Sequence, residues 1–208
     1  VGGSCFDSCS KLTSVELPEA TSLGSQCFYT CSTLTSVTIP KATSLGATCF
    51  RSCSNLETIN MPLVTSIGSE CFYYCGKLTT VVAPQLTTAY SGSFASCTSL
   101  KEINLPSFTT VDGNNMYALF EDCTSLETIY LGCLTTTNSI LDNNTKINLI
   151  VVGKIGSPIL SDEGYPSSPF YTKNAITLKI YVEDVSNPPA FTKLPWGATN
   201  ATIVYEQA

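Results

Sequence analysis

Apolar positions in this chain recur in register every 22 residues. The stretch at 27–48 reads CFYTCSTLTSVTIPKATSLGAT. It is preceded by CFDSCSKLTSVELPEATSLGSQ at 5–26 and followed by CFRSCSNLETINMPLVTSIGSE at 49–70. The phase persists through CFYYCGKLTTVVAP (71–84), FASCTSLKEINLP (94–106) and FEDCTSLETIYLG (120–132), with a short insertion around Asp112 to Leu119. A period of this size belongs to stacked solenoid turns, because no single unit can bury its apolar side alone.

Within each unit, Leu34, Val37 and Ile39 end in a period-two alternation, which predicts a half-buried strand. Proline follows at 18, 40, 62, 84 and 106 and ends that strand, since it cannot donate to a ladder. A second apolar pair, such as Ala42 and Leu45, precedes Gly24, Gly46 or Gly68, read as a turn glycine. Cys27, Phe28, Cys31 and Leu34 are spaced to share one side of a short helical turn.

The phase thins after residue 135. There Ile147, Leu149 and Val151 alternate as one degenerate turn, and a Gly/Ser/Pro-rich loop spans 156–169. ITLKIYVED (176–184) predicts a strand, and LPWGATNATIVYE (194–206) ends in another. An open solenoid end exposes core and strand edge, so these segments are expected to form a cap, with Trp196 covering it. The expected organisation is a solenoid of about six turns over 1–135, opening inside a repeat, and a degenerate repeat plus capping segment over 136–208 in the same domain.

The paired cysteines admit several chemistries. Structural zinc requires four converging ligands, and a three-residue spacing without histidine fits that poorly. A reactive thiol requires exposure and an electropositive neighbour, whereas these cysteines flank phenylalanine on an apolar face. Turns stacked about 4.8 Å apart fall within the reach of a disulfide, but equivalent side chains point in parallel directions and the count of 11 is odd. The remaining reading is a ladder of buried thiols. The first cysteine of the pair becomes Ser93 and Leu119 in later units, a change a packing position accepts and a ligand does not.

Composition narrows function. With a net charge of −6 and scattered basic residues, the chain lacks the Lys/Arg clusters that nucleic acid or anionic lipid requires, and no apolar run is long enough for a membrane span. The absence of histidine removes the commonest general base. Asp112, Glu121, Asp122 and Asp142 form no evident acid–base pair, and Asp142-Asn143-Asn144 is too short for a calcium loop. Asn143 and Asn200 begin N-x-T sequons. The hydroxyl column Thr21, Thr43 and Thr65 is only a remote ice-binding pattern. No catalytic residue, metal or cofactor is expected.

Two exposed columns remain as candidate interaction surfaces. One lies between the paired cysteines and includes Tyr29, Arg51 and Tyr73, expected to stack across three turns, with Tyr74 beside them. The other is the outward strand face, including Thr38, Asn60, Asn104 and Tyr130. Solvated strand residues are the plainer account of that second face.

The unit resembles the treponemal-type, or BspA-like, leucine-rich repeats, whose pattern runs A-F-x-x-C-s-x-L-t-s-I-x-I-P-x-x-v-t-s-I-g. Phe28, Cys31, Leu34, Val37, Ile39, Pro40, Leu45 and Gly46 stand at the matching positions, and the resemblance covers about residues 4–135. Cys5, Cys27, Cys49 and Cys71 depart from it, standing where the family usually has alanine. The resemblance implies a right-handed leucine-rich-repeat solenoid of the α/β class, β-rich, with short parallel strands. It also implies a non-enzymatic adhesion or protein-binding module, secreted or on a bacterial cell surface. Its expected partner is an extracellular protein, such as a host matrix or cell-surface protein, or a glycan. The alternative is a structural or receptor-binding module of a phage-tail or surface-fibre assembly.

Overall fold

The computed structural model describes residues 1–112, 116–134, 140–155, 172–182, 186 and 198–207. Two short strands alternate in each turn. They are β1 Ser14–Glu16, β2 Ser22–Leu23, β3 Ser36–Thr38, β4 Ser44–Leu45, β5 Thr58–Asn60, β6 Ser66–Ile67, β7 Thr80–Val82, β8 Thr88–Tyr90, β9 Glu102–Leu105 and β10 Thr110–Asp112. Longer strands follow: β11 Thr128–Leu134, β12 Leu149–Ile155, β13 Thr172–Val182 and β14 Ala198–Gln207. All pairings are parallel. One sheet runs β1-β3-β5-β7, a second β10-β8-β6-β4-β2, and a third β14-β13-β12-β11-β9.

Register matches the repeat. Val15, Val37, Ile59 and Val81 align across β1, β3, β5 and β7, a 22-residue step at each pairing. The prolines stand just beyond the strands, and β11 grows longer where Gly132 replaces one. The strand after β11 corrects the expected phase of the degenerate turn. Ile150 and Val152 join the core cluster, with Ile150 paired to buried Ile129, whereas Leu149 is half-buried and Val151, though buried, lies outside that cluster. Ile147 is buried as expected. The predicted loop at 156–169 and Trp196 lie outside the described residues.

The core is a set of ladders. The rings of Phe6, Phe28, Phe50, Phe72, Phe94 and Phe120 stack at centroid distances of 4.9–5.6 Å. The expected helical turn around Cys27–Leu34 is absent, and no helix occurs among the described residues. Two residues in the left-handed region interrupt it instead, as in Gln26 (φ 60°) and Thr30 (φ 58°), and again at Thr48 and Ser52, and at Glu70 and Tyr74. The left-handed kinks aim alternate amides at the next turn. Phe28 N–H donates to Cys49 O and Thr30 N–H to Arg51 O, both at 2.8 Å, while Tyr29 and Cys31 close local three-residue turns. Such conformations cost on the order of 1–2 kcal/mol per non-glycine residue, offset by backbone bonds that repeat along the stack.

Gly24, Gly46 and Gly68 serve close approach rather than a left-handed turn. A Cβ on Gly46 would lie 2.4 Å from the backbone nitrogen of Ser25 one turn back. Only a residue without a side chain fits there.

Candidate functional site

The second cysteine of each unit has a defined bond. Cys31, Cys53, Cys75, Cys97 and Cys123 donate their thiols to the carbonyls of Phe6, Phe28, Phe50, Phe72 and Phe94, at 3.0–3.3 Å. Each acceptor lies one turn back. The ladder continues into the degenerate turn, where buried Asn144 donates Nδ2 to Phe120 O at 2.8 Å. This column therefore selects a buried donor as well as a small volume, a role that spacing alone did not reveal. In the first column, Ser93 keeps a donor, bonding Gly68 O at 3.0 Å, whereas Leu119 does without one.

Most of the thiols are buried. Cys5, Cys9, Cys27, Cys31, Cys49, Cys53, Cys71, Cys75, Cys97 and Cys123 are all free, and only Cys5 and Cys9 are not buried. Burial pushes the Cys27 thiol up to about 12, with smaller contributions from Cys49 and Cys5. Burial likewise raises Cys31, Cys53, Cys75 and Cys97. Cys49 is raised chiefly by its hydrogen bond with Cys71 and then by burial. At these six positions the thiolate, the nucleophilic and metal-binding form, is thus disfavoured. Among the described residues no group of three or more His, Cys, Asp or Glu side chains is arranged to hold a metal ion.

Hydroxyls just before the strands of the second sheet are also engaged. Thr43, Thr65, Thr87 and Thr109 donate Oγ1 to the carbonyls of Thr21, Thr43, Thr65 and Thr87, at 3.0–3.3 Å. The column considered for ice binding is therefore an internal brace, with its donors turned to the backbone.

One corner departs from ladder chemistry. Arg51, Tyr73 and Tyr74 meet there, as their column implies. The Arg51 guanidinium lies 4.7 Å from the Tyr73 ring centroid, and the Tyr73 and Tyr74 rings meet edge to face at 4.2 Å. Two further residues, absent from the sequence reading, complete the cluster. Glu70 pairs with Arg51, and Tyr117, from the insertion, tilts against Tyr73 at 5.4 Å. Burial and the hydrogen bond to Tyr74 raise the Tyr73 phenol well above its ordinary range, against a lowering by Arg51. Tyr29 is half-buried in the same column, and among the described residues no ring contact joins it to the others. The expected three-turn stack is thus a two-turn contact of Arg51 on Tyr73.

The insertion is tied down. Ser91 Oγ donates to Tyr117 O at 2.9 Å and accepts from Tyr117 N–H at 3.1 Å. Gly92 (φ 66°) makes room, since a Cβ there would stand 3.0 Å from Tyr117 Cβ. Glu121 accepts the Ala118 amide at 3.0 Å, and burial, with Asp142 and Asp122 nearby, raises its carboxyl. The signal for this site was the broken period itself.

Along the strand face, Thr38, Asn60 and Asn104 are exposed, and Tyr130 is half-buried between Asn104 and Val151 in register. Thr38 pairs with Asn60, so this row is continuous across β3 and β5.

A family model described as BspA type leucine rich repeat region matches residues 1–127 and, in an overlapping span, 43–157, with six copies. The chain belongs to the BspA-type leucine-rich repeat family. Among solved structures it is similar to a leucine-rich repeat protein from Bacteroides ovatus ATCC 8483, at 15% identity and a TM-score of 0.36, covering 99% of this chain and 77% of that one. It is also similar to a leucine rich cell surface protein from Faecalibacterium prausnitzii A2-165, at 16% identity and a TM-score of 0.32, covering 100% and 83%. No curated protein matches the chain. In this BspA-type array the cysteine and threonine columns build the scaffold. At the Tyr73–Tyr74 corner and along the strand face, Tyr74, Thr38, Asn60 and Asn104 are exposed.

Proposed function

We propose that this BspA-type array is a non-enzymatic protein-binding module of a bacterial cell-surface or secreted protein, with an extracellular protein as its partner. Family membership supports the reading, because leucine-rich repeats serve as interaction scaffolds. The observation that carries it is the disposal of reactive groups. The buried thiols of the second cysteine column are spent on carbonyls one turn back, so chemical variety is confined to exposed columns. A surface of this kind binds by shape and side-chain complementarity over several turns.

Solid-phase binding of the full chain to a panel of extracellular matrix and cell-surface proteins tests the reading, run beside turnover assays on a glycan panel. Saturable binding to a protein without turnover is expected. Turnover of any glycan, or binding to glycans alone, overturns it.

A further inference from the structure

Tyr74 stands where the fold places small polar residues. Its φ is 60°, and the equivalent left-handed position in other turns holds Ser8, Thr30, Ser52, Ser96, Asp122 and Asn143. Backbone bonds fix the equivalence: Thr30 N–H donates to Arg51 O, Tyr74 N–H to Ala95 O and Asp122 N–H to Asp142 O. A bulky aromatic is disfavoured in this region, and the strain is not repaid by burial, because Tyr74 is 52% exposed. Its underside is braced by Tyr73, itself only 9% exposed and held by Arg51 and Tyr117. Met116, one residue before the anchored Tyr117, is 72% exposed. A strained, rigidly backed, outward-facing ring is what a contact site requires and what a scaffold position does not.

The charge around the ring is one-sided. Toward the N-terminus Arg51 is neutralised by Glu70. Toward the C-terminus the same two columns continue as Glu121 and Asp122 and then Asp142, and among the described residues no cation pairs with these three. With turns stacked about 4.8 Å apart, Asp122 lies roughly 10 Å along the stack from Tyr74. An extended peptide covers that span in about three residues, at ~3.3 Å each.

Taking the binding-module reading as its basis, the geometry points to this corner as a docking site for an extended, basic segment of a partner protein. The segment places an aromatic or aliphatic side chain on Tyr74 and a Lys or Arg about three residues away against Asp122 and Asp142. The carboxylates supply charge complementarity, and the ring supplies apolar contact and a cation–π face.

Panning a displayed random-peptide library on the full chain tests this, followed by anisotropy titration of the enriched sequences as synthetic peptides. Enriched peptides are expected to pair an apolar with a basic residue at about three-residue spacing. Tyr74→Ser should weaken them about tenfold or more, the scale of an interface anchor. Asp122→Asn with Asp142→Asn should weaken them several-fold and flatten their salt dependence. Serine already serves at the equivalent position in three turns, so the Tyr74→Ser chain is expected to fold, and an unchanged thermal midpoint confirms that it has. No enrichment, enrichment of acidic or uncharged peptides, or affinity unaffected by Tyr74→Ser overturns the corner. An extracellular protein that binds the Tyr74→Ser chain at full affinity sinks this site alone, while failure of the unmodified chain to bind any protein sinks the module as well.

Discussion

The Cys53 thiol donates to the carbonyl of Phe28, one turn back, at 3.1 Å. That carbonyl also accepts the Cys31 amide at 3.2 Å, so both of its lone pairs are used inside the buried core. Cys53→Ala removes one donor and leaves a small void. A lowered urea midpoint corresponding to about 1–2 kcal/mol is expected. Cys53→Ser keeps a donor and should lose less than alanine. Equal losses for the two would show that volume, not the bond, sets the residue.

Asn144 provides the converse case. It reaches Phe120 O and Cys123 O with one amide nitrogen, at 2.8 and 3.3 Å, in the position that cysteine fills in earlier turns. Asn144→Leu would leave those carbonyls without this donor and should cost about 1–3 kcal/mol. Asn144→Cys should recover part of the loss. Denaturation midpoints of the two variants decide it.

Thiol accessibility follows from burial. In native chain, Cys5 and Cys9 should react with an aromatic disulfide reagent, while Cys27, Cys31, Cys49, Cys53, Cys71, Cys75, Cys97 and Cys123 react only after unfolding. Rapid native labelling of the second group would contradict the buried ladder.

The same burial gives a pH dependence. Unfolded thiols titrate near about 8.5, whereas the folded chain holds the Cys27 proton up to about 12. Between those values the folded state binds more protons than the unfolded one. Stability from this thiol is therefore full below about pH 8.5 and falls as pH climbs toward 12, by at most ~1.4 kcal/mol per pH unit. Cys31 and Cys53 are raised by burial and shift in the same direction. Urea midpoints should decline from about pH 8.5 upward, less steeply in Cys27→Ala.

Much of this architecture was legible because stacking turns a 22-residue sequence period directly into register. Val37 over Val15 and Phe50 over Phe28 follow from the period alone. The local path of the chain between the sheets did not. Cys27, Phe28, Cys31 and Leu34 satisfy a helical spacing, and they also satisfy a turn kinked twice through the left-handed region. The kinks fall on Gln26 and Thr30, residues with no sequence signature for that conformation. At the candidate corner, the column of Arg51, Tyr73 and Tyr74 could be read from spacing. Tyr117 could not, because the insertion takes it out of register, and Glu70 becomes visible only once the turns are stacked.

Gly46 and Gly76 separate close backbone approach from mere flexibility. A Cβ at Gly46 would stand 2.4 Å from Ser25 N and 2.6 Å from the Gly24 carbonyl carbon. Both are backbone atoms fixed by the ladder, and Gly46 N–H itself donates to Leu23 O at 2.8 Å. Gly46→Ala therefore cannot be absorbed by moving a side chain; the two turns must part, breaking β2–β4 pairing nearby. A loss of about 1–3 kcal/mol or more is expected, the scale of overpacking in a tight core. At Gly76 the nearest atom to an added Cβ is the Thr98 hydroxyl at 3.6 Å, an ordinary contact. Gly76→Ala should be neutral or stabilising by about 0.4–1 kcal/mol, through reduced freedom of the unfolded chain. Thermal midpoints of the two variants should move apart, with Gly46→Ala falling sharply. Similar midpoints would mean that neighbouring turns slide easily over one another, against the close approach seen at Gly46.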